Sequence, residues 1–529
     1  VDVDQFYGIE IEEFPAQIAQ VALWLMDHQM NTRVGEQFGE YFARLPLVKS
    51  ATIVHGNALR IDWNEVVPKG RLSYILGNPP FVGKKEQSRE QKEDLLRIFP
   101  DESGAGVLDF VACWFLLAAR YMQGTSISCA FVSTNSITQG EQVAVLWSAV
   151  MRLGVSIGFA HRTFRWSNEA RGNAAVFCVI IGFGHVERSG KVIFDYAAPT
   201  AEPLSLTARS INPYLVDADF TVLPNRKVPI CAVPPMSEGS ALIDDGHLVL
   251  SPEERENLVA CCKQAIDWIR PLAAGSDFIN GNARYCLWLG DASPGDVRAC
   301  APVRERVEKV RQFRLASQRE ATRKLAQLPM MFGELRQPVG RYIMLPKTSS
   351  ERRSHVPMGY LEPEHVVNNT SLFVEGAAPF HFGVLMSAMH MSWLRAVGGR
   401  LKSDYRYSAG IVYNNFPWPE TLDDKARSAI ETAAQAVLDA RAAFPDSTLA
   451  DLYDPLSMPP ALVKAHQQLD RAVDAAYTAV EKAAGRKAPK LGTDAERVAF
   501  LFERYQALTS LLPAESPKRG RRKPVAEAE

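Results

Sequence analysis

At 529 residues the chain exceeds the roughly 250–300 at which a single hydrophobic core stops growing, so two or three domains are expected. Its 59 Lys and Arg against 60 Asp and Glu leave a net charge of -1, which excludes polyanion binding through the overall field and confines any nucleic-acid contact to local basic clusters. The eight cysteines fall in no metal-ligand spacing, no run is apolar for the roughly 18 residues a membrane crossing needs, and no secretion pattern opens the chain, so reduced thiols, no metal and a cytoplasmic location are expected.

The chain opens at Val1, without a methionine, inside VDVDQFYGIEIEE, which already leads into a strand; a missing start is expected. From Tyr7 to Gly184 strand-like runs alternate with helical patterns, the mark of an α/β domain on a mostly parallel sheet. FYGIEI reads as a strand and EEFPAQIAQVALWLMDHQ as a helix with Phe14, Ile18, Val21, Ala22 and Leu25 on one face. ATIVHGNAL and LSYILGN read as strands, VLDFVACWFLLAARYM as a helix, SISCAFVST as a strand and EQVAVLWSAVMRLG as a helix. VSIGFAHRTF and AAVFCVIIGFG are joined by a link too short for a helix and are expected to pair antiparallel.

After residue 200 proline-punctuated loops lead into an arginine-rich helical stretch from Asp296 to Leu328, and β-like runs alternate with turns from Gly340 to Pro419. The expected division is residues 1–200, an α/β core; 201–420, a second, mixed domain with a basic helical spacer; 421–512, a helical section; and 513–529, a disordered tail without apolar content.

The strand LSYILGN runs into Asn78-Pro79-Pro80-Phe81. Two prolines fix φ and remove two backbone donors, so the Pro79 carbonyl is held rigidly at the carboxyl end of a strand, where open α/β sheets bind ligands. Together with the Asn78 side-chain carbonyl it can accept both hydrogens of an exocyclic amino group, and Phe81 offers a flat face to a planar base. Acceptors that draw those hydrogens out of conjugation leave the nitrogen lone pair free to attack an electrophilic methyl, with positioning carrying most of the rate. The bland alternative is a tight loop in which the prolines serve only the turn.

At these residues the chain resembles the class I S-adenosylmethionine-dependent amino-methyltransferases, and among them the DNA adenine-N6 methyltransferases of large restriction–modification proteins, the MmeI-like type IIG family. FYGIEIEEFPAQIAQVALWLMDHQMN, HGNALRIDW, FVSTNSITQGEQVAVLW, NAAVFCVIIGF and YSAGIVYNNFPWP are similar to family segments, so the likeness extends to about Pro419. It implies a Rossmann-like methyltransferase sheet, a DNA target-recognition domain, S-adenosylmethionine as cofactor and double-stranded DNA as partner. It places Glu10 at the cofactor's ribose, with Ile11 next to it among the cofactor contacts, Asn57 and Ala58 beside the cofactor's adenine, and Asn78, Pro79, Pro80 and Phe81 at the target base. Residue chemistry alone also allows Glu10 to be a charge favouring the following helix, and Asn57 a turn residue.

One departure is large. The family carries an aromatic-x-Gly-x-Gly loop after a first, central strand upstream of the acidic strand end, and only nine residues precede Glu10 here. GSDFINGNA and ESGAGVLDF carry glycines but follow no convincing parallel strand, so the first strand and its loop are expected from a missing N-terminal segment or a separate chain.

Asp109, at the start of a helix, reads best as a helix-end charge. In the loop HRTFRWSNEARGNAAVF the resemblance suggests Phe164 or Trp166 against the second face of an extruded base, with Arg165 and Arg171 on phosphates; hairpin packing is the alternative. RERVEKVRQFRLASQREATRK, LPKTSSERRSHVP and RLKSDYRYSAG supply local basic clusters, with Lys347, Arg352, Arg353, Arg400, Lys402 and Arg406 as candidate DNA contacts, although a basic helix is more often a solvated face. No acidic-x-Lys cluster suggests a nuclease. The expected function is adenine-N6 methylation of duplex DNA in a restriction–modification or related defence system. The alternatives are a DNA-binding remnant or half-enzyme, or amino-methylation of RNA or of protein glutamine.

Overall fold

A computed structural model describes residues 2–39, 50–166, 176–198 and 200–510. The tail at 513–529 and Arg171 lie outside the described residues. The chain divides into two compact units, Val1–Val222 and Leu223–Glu529.

In the first unit β1 (Tyr7–Glu10) is followed by α1 (Glu13–Phe38) and β2 (Thr52–His55), and β1 and β2 pair in parallel, Gly8 opposite Ile53. Then come α2 (Trp63–Val66), β3 (Tyr74–Gly77), α3 (Arg89–Ile98), α4 (Ala112–Tyr121), β4 (Ser128–Thr134), α5 (Glu141–Met151), β5 (Ser156–Trp166), β6 (Val176–Gly184), β7 (Lys191–Tyr196) and β8 (Pro203–Ala208). A six-stranded sheet runs β3-β4-β6-β5-β7-β8, with β3 parallel to β4 and β5 parallel to β7. The antiparallel pairing expected of the two late strands is present, Ala160 opposite Ile181. Alternate residues of β4 are buried, as a strand with one face on a core requires, and Phe131 there meets Phe115 of α4 and Phe183 of β6 in an aromatic cluster with ring centroids 5.3–6.0 Å apart.

Three features differ from the sequence expectation. Helix α3 was not foreseen: REQKEDLLRI buries only Asp94, Leu95 and Ile98, too few apolar residues to set a period, although its Ser88/Gln91 capping box marks the start. Strands β7 and β8 were likewise not separated from the loops that follow. Helix α1 forms, but the apolar face expected to be buried is open: Ala16 is its one buried residue, while Phe14, Ile18, Val21 and Leu25 are exposed, Phe14 by 70%. The reason is topological, because β1 and β2 form a sheet of their own and lack hydrogen bonds to the six-stranded one.

The second unit begins with β9 (Met236–Glu238), β10 (Val249–Leu250), α6 (Pro252–Cys261), β11 (Ile269–Ala273), α7 (Gly275–Asn280) and β12 (Tyr285–Leu287). The expected basic helix is three: α8 (Pro294–Ala299), α9 (Ala301–Leu315) and α10 (Glu320–Leu325), with Cys300 extended just ahead of the first turn that holds Pro302. β13 (Tyr342–Pro346), β14 (Thr348–Ser349), β15 (Gly359–Leu361), β16 (Val366–Val367) and β17 (Ser371–Glu375) follow. The next stretch, expected to be β-like, holds α11 (Pro379–Leu385) and α12 (Ala388–Val397). Phe380, Phe382, Met389, Met391, Trp393 and Leu394 are all buried, so these helices are apolar on nearly every side and carry no amphipathic period. β18 (Gly399–Leu401) and β19 (Asp404–Arg406) precede α13 (Asp424–Ala442), α14 (Leu449–Leu452), α15 (Pro460–Ala483) and α16 (Asp494–Thr509). The strands make three small sheets, β10-β12-β11-β16, β15-β13-β17-β9 and β14-β19-β18, and α13 packs against α11 and α15. Arg314 of α9 is fully buried, its guanidinium donating to the carbonyls of Leu242, Ile243, Leu325, Leu328 and Met331 at 2.8–3.1 Å.

Candidate active cleft

The carboxyl ends of β1 and β3 and the turn after β2 open onto one cleft of about 690 Å³ in the first unit. It is lined by Glu10 and Ile11 past β1, Asn57 and Ala58 past β2, and Asn78, Pro79 and Pro80 past β3, so seven of the predicted site residues share it. Trp63, Tyr74, Phe110 and Trp114 give it aromatic walls, and Ser88, Glu90, Gln91 and Asp94 of the α3 segment add polar ones. Strand β1 hydrogen-bonds to β2 and β3 to β4, each on one side, so both border the cleft with an unpaired edge among the described residues. Tyr74 and Leu76 on β3 are 67% and 78% exposed.

Asn78 is exposed, and no described residue hydrogen-bonds its side chain; Pro79 is buried, Pro80 exposed and Phe81 half-buried just beyond the cleft wall. The loop is braced from below. Buried Gln87 donates to the carbonyls of Val82 (3.1 Å) and Leu108 (2.9 Å), and the Phe110 N–H returns to Val82 at 3.0 Å. Asp109 is not the helix-end charge expected of it, since Val111 caps α4; its buried carboxylate accepts hydrogen bonds from the hydroxyls of Thr134 (2.8 Å) and Ser136 at the end of β4.

Glu10 accepts the Glu12 N–H at 3.2 Å through one carboxylate oxygen and lines the cleft. Asn57 is held at both ends of its amide, donating to Asp94 (3.2 Å) and accepting the Leu59 N–H (2.9 Å). Asp94 also receives Arg60 at 2.9 Å and Arg97 at 3.1 Å. Burial alone would raise its carboxyl, but the hydrogen bonds from Arg60 and Asn57, together with Arg97, hold it below its ordinary value. Sequence reading missed Asp94, because a carboxylate in a polar helix gives no sign of burial; its spacing from Arg97 was the available hint.

The remaining candidates are spread over both units. At the end of β5, Phe164 stacks on Tyr196 with centroids 5.4 Å apart, while Trp166 is 37% exposed. In the second unit Lys347 pairs with Glu238, Arg353 is partly buried, and burial lowers its guanidinium from the ordinary value. Arg352, Lys402 and Arg406 are exposed, the last two on the β18–β19 hairpin, whose turn residue Lys402 has φ 57°. Arg400 lies over the Tyr405 ring at 4.1 Å. Among the described residues no group of three or more His, Cys, Asp or Glu is placed to hold a metal ion, and no helix is long and apolar enough to cross a membrane.

Strand ends converging on a cleft lined by Asn78-Pro79-Pro80 define the class: a Rossmann-like α/β domain of methyltransferase type, followed by a second unit of small sheets and helices. Residues 1–195 match the family model of the MmeI DNA-methyltransferase domain, 217–420 the MmeI target recognition domain and 422–513 the MmeI C-terminal domain. The structure of the type IIL restriction–modification enzyme MmeI in complex with DNA is 48% identical, with a TM-score of 0.86 over 97% of this chain and 67% of that one. DNA methyltransferase A of Bacillus subtilis (strain 168) is 36% identical over 513 residues, 96% of this chain. The chain belongs to the MmeI family, and it spans 56% of the length of that Bacillus relative.

Proposed function

We propose that the chain works in a site-specific DNA methyltransferase that moves a methyl group from S-adenosylmethionine to adenine N6 in duplex DNA, as part of a restriction–modification or related defence system. The observation that carries this reading is the single cleft in which the exposed Asn78 amide and the rigid Pro79–Pro80 loop meet Glu10, Ile11, Asn57 and Ala58. A strand-end carboxylate suits two vicinal hydroxyls, an amide suits a purine edge, and Trp63, Phe110 and Trp114 suit a flat ring, so the lining fits that cofactor. When bound, it supplies the electrophilic methyl. Asn78 and the Pro79 carbonyl then hold the two amino hydrogens and aim the nitrogen lone pair, and Phe81 stacks on the base. Extruding that base takes a few kcal/mol and demands backbone contacts, a role we assign to Arg352, Arg353, Lys402 and Arg406, with Lys347 released from Glu238. Trp166 is better placed than Phe164 to meet a base, since Tyr196 already takes a face of Phe164. Acting on the cell's own DNA puts the protein in the cytoplasm.

The unpaired edges of β1 and β3 favour a second reading, a DNA-binding half that needs more polypeptide before it methylates. Transfer of a labelled methyl from S-adenosylmethionine to duplex DNA, measured with residues 1–529 alone and with any polypeptide that extends or joins them, separates the two. Asn78→Ala in the active form is expected to abolish N6-methyladenine by mass spectrometry while DNA binding persists. Unchanged methylation by that variant would overturn the assignment of the loop.

A further inference from the structure

Asn57 lines the cleft with an amide whose orientation is fixed by chemistry. Asp94, kept anionic by Arg60 and Arg97, can only accept, so Nδ2 must face it; the Leu59 N–H can only donate, so Oδ1 must face that. Turning the amide over would set oxygen against carboxylate and N–H against N–H, leaving two mismatched pairs at a wall where Asp94 is only 3% exposed. The amide therefore has left for the cleft one N–H and one oxygen lone pair, in a set order.

We propose that Asp94 is a specificity-determining positioning residue, which together with the Leu59 N–H locks the Asn57 amide so that the cleft accepts a methyl donor with a 6-aminopurine and rejects its 6-oxopurine counterpart. The proposal rests on the reading of this cleft as the methyl-donor site. The amino form presents an N–H donor at position 6 beside an acceptor ring nitrogen; deamination reverses both, giving a carbonyl acceptor beside a ring N–H. An unlocked asparagine would follow that reversal by rotating about its last bond, and a locked one cannot. Asp94→Asn removes half of the lock, because a carboxamide offers both a carbonyl and an NH2 and can pair with either end of Asn57, and the Leu59 N–H alone then holds the orientation. Arg60 and Arg97, with side chains 46% and 50% exposed, stay solvated in that variant.

The test is the ratio of dissociation constants for S-adenosylmethionine and its deaminated form, S-inosylmethionine, measured by calorimetry on the protein in its methylating form. The wild type is expected to prefer the amino form about 10- to 100-fold, the cost of one or two unmatched polar groups. Asp94→Asn should lower the ratio by about threefold or more, the Leu59 N–H keeping the remainder. Asn57→Ala, which takes away the amide itself and leaves Asp94 paired to its arginines, should bring the ratio to within about threefold of one and stands in should Asp94→Asn fail to fold. A wild-type ratio near one, or a ratio that neither variant changes, overturns the lock while leaving the cofactor reading intact. Equal weakening of both donors would make Asp94 merely structural and also overturn it. No binding of either donor to the wild type overturns the cofactor reading itself, and the inference with it.

Discussion

The second unit should be acid-labile, because three of its histidines are buried as neutral imidazoles. Burial, aided by Arg395 and Arg441, depresses His355 to about 3; burial depresses His390 to about 3; and burial, with His355 and Arg441, holds His466 well below its ordinary value. The geometry agrees: His355 and His466 stack at 4.0 Å, and Nε2 of His355 and Nδ1 of His390 have no hydrogen-bond partner, so a second proton on either of those two rings would find no acceptor. Below pH 6.5 the unfolded chain takes up protons that the folded one refuses, so stability rises with pH across the window from about 3 to 6.5 and is lost on acidification. Each such histidine costs about 1.4 kcal/mol at pH 5.5 relative to pH 8, about 4 kcal/mol for the three. Asp470 works the other way: burial raises it to about 6, so it takes up a proton on folding and returns at most about 0.8 kcal/mol at pH 5.5. The net loss, about 3 kcal/mol, is a large part of the roughly 5–15 kcal/mol that holds a domain folded. Urea unfolding followed by the fluorescence of buried Trp393 and Trp418 reads it directly. His390→Gln, which can still meet the Tyr407 hydroxyl that His390 Nε2 reaches at 2.8 Å, should remove about a third of the histidine contribution. Equal unfolding free energies at pH 5.5 and 8, within about 1 kcal/mol, would refute the reasoning.

Replacing Arg314 by Met strands five carbonyls and should cost about 3–5 kcal/mol in urea unfolding, and a loss below about 1 kcal/mol would show that those carbonyls find water or each other. If the β18–β19 hairpin meets phosphates, Lys402→Ala with Arg406→Ala should weaken binding of all duplexes alike and flatten the slope of log K against log salt by about 1.8; an unchanged slope would remove the hairpin from the interface.

What was legible in the sequence followed from local rules. Period-two and period-3.6 patterns placed β1, β3, β4, β5, β6, α1, α4 and α5, because each buries, or is built to bury, one defined face. Elements without a single face escaped: α3 is nearly all polar, and α11 and α12 are apolar nearly all round. The same divide runs through the cleft. Asn78-Pro79-Pro80 could be singled out because proline pairs are rare at strand ends and rigid for a stated reason. Asp94 could not, because its importance lies in Arg60, Arg97 and Asn57, of which Asn57 sits 37 residues away in sequence. Phe164 shows the limit of composition: an aromatic ring in the expected loop was foreseeable, the Tyr196 ring already stacked on it was not.

The open wall of the cleft carries a last prediction. Strand edges left unpaired on β1 and β3 cost backbone hydrogen bonds, and Phe14, Ile18, Val21 and Leu25 of α1 remain in water although their spacing is that of a buried face. A further strand and helix supplied by polypeptide beyond these 529 residues, in the same chain or another, would cover both. Moving those four side chains from half-exposed to buried should yield about 3–6 kcal/mol, taking half of the 1.5–3 kcal/mol of full burial for each. Residues 1–529 alone should then bind the dye ANS strongly and show rapid amide exchange along Tyr7–Glu10 and Tyr74–Gly77, and the form that carries the added strand and helix should lose the dye and protect both strands. Equal dye binding and exchange in the two would mean that these edges face solvent in the working protein, and the cleft would then have to function with one wall of water.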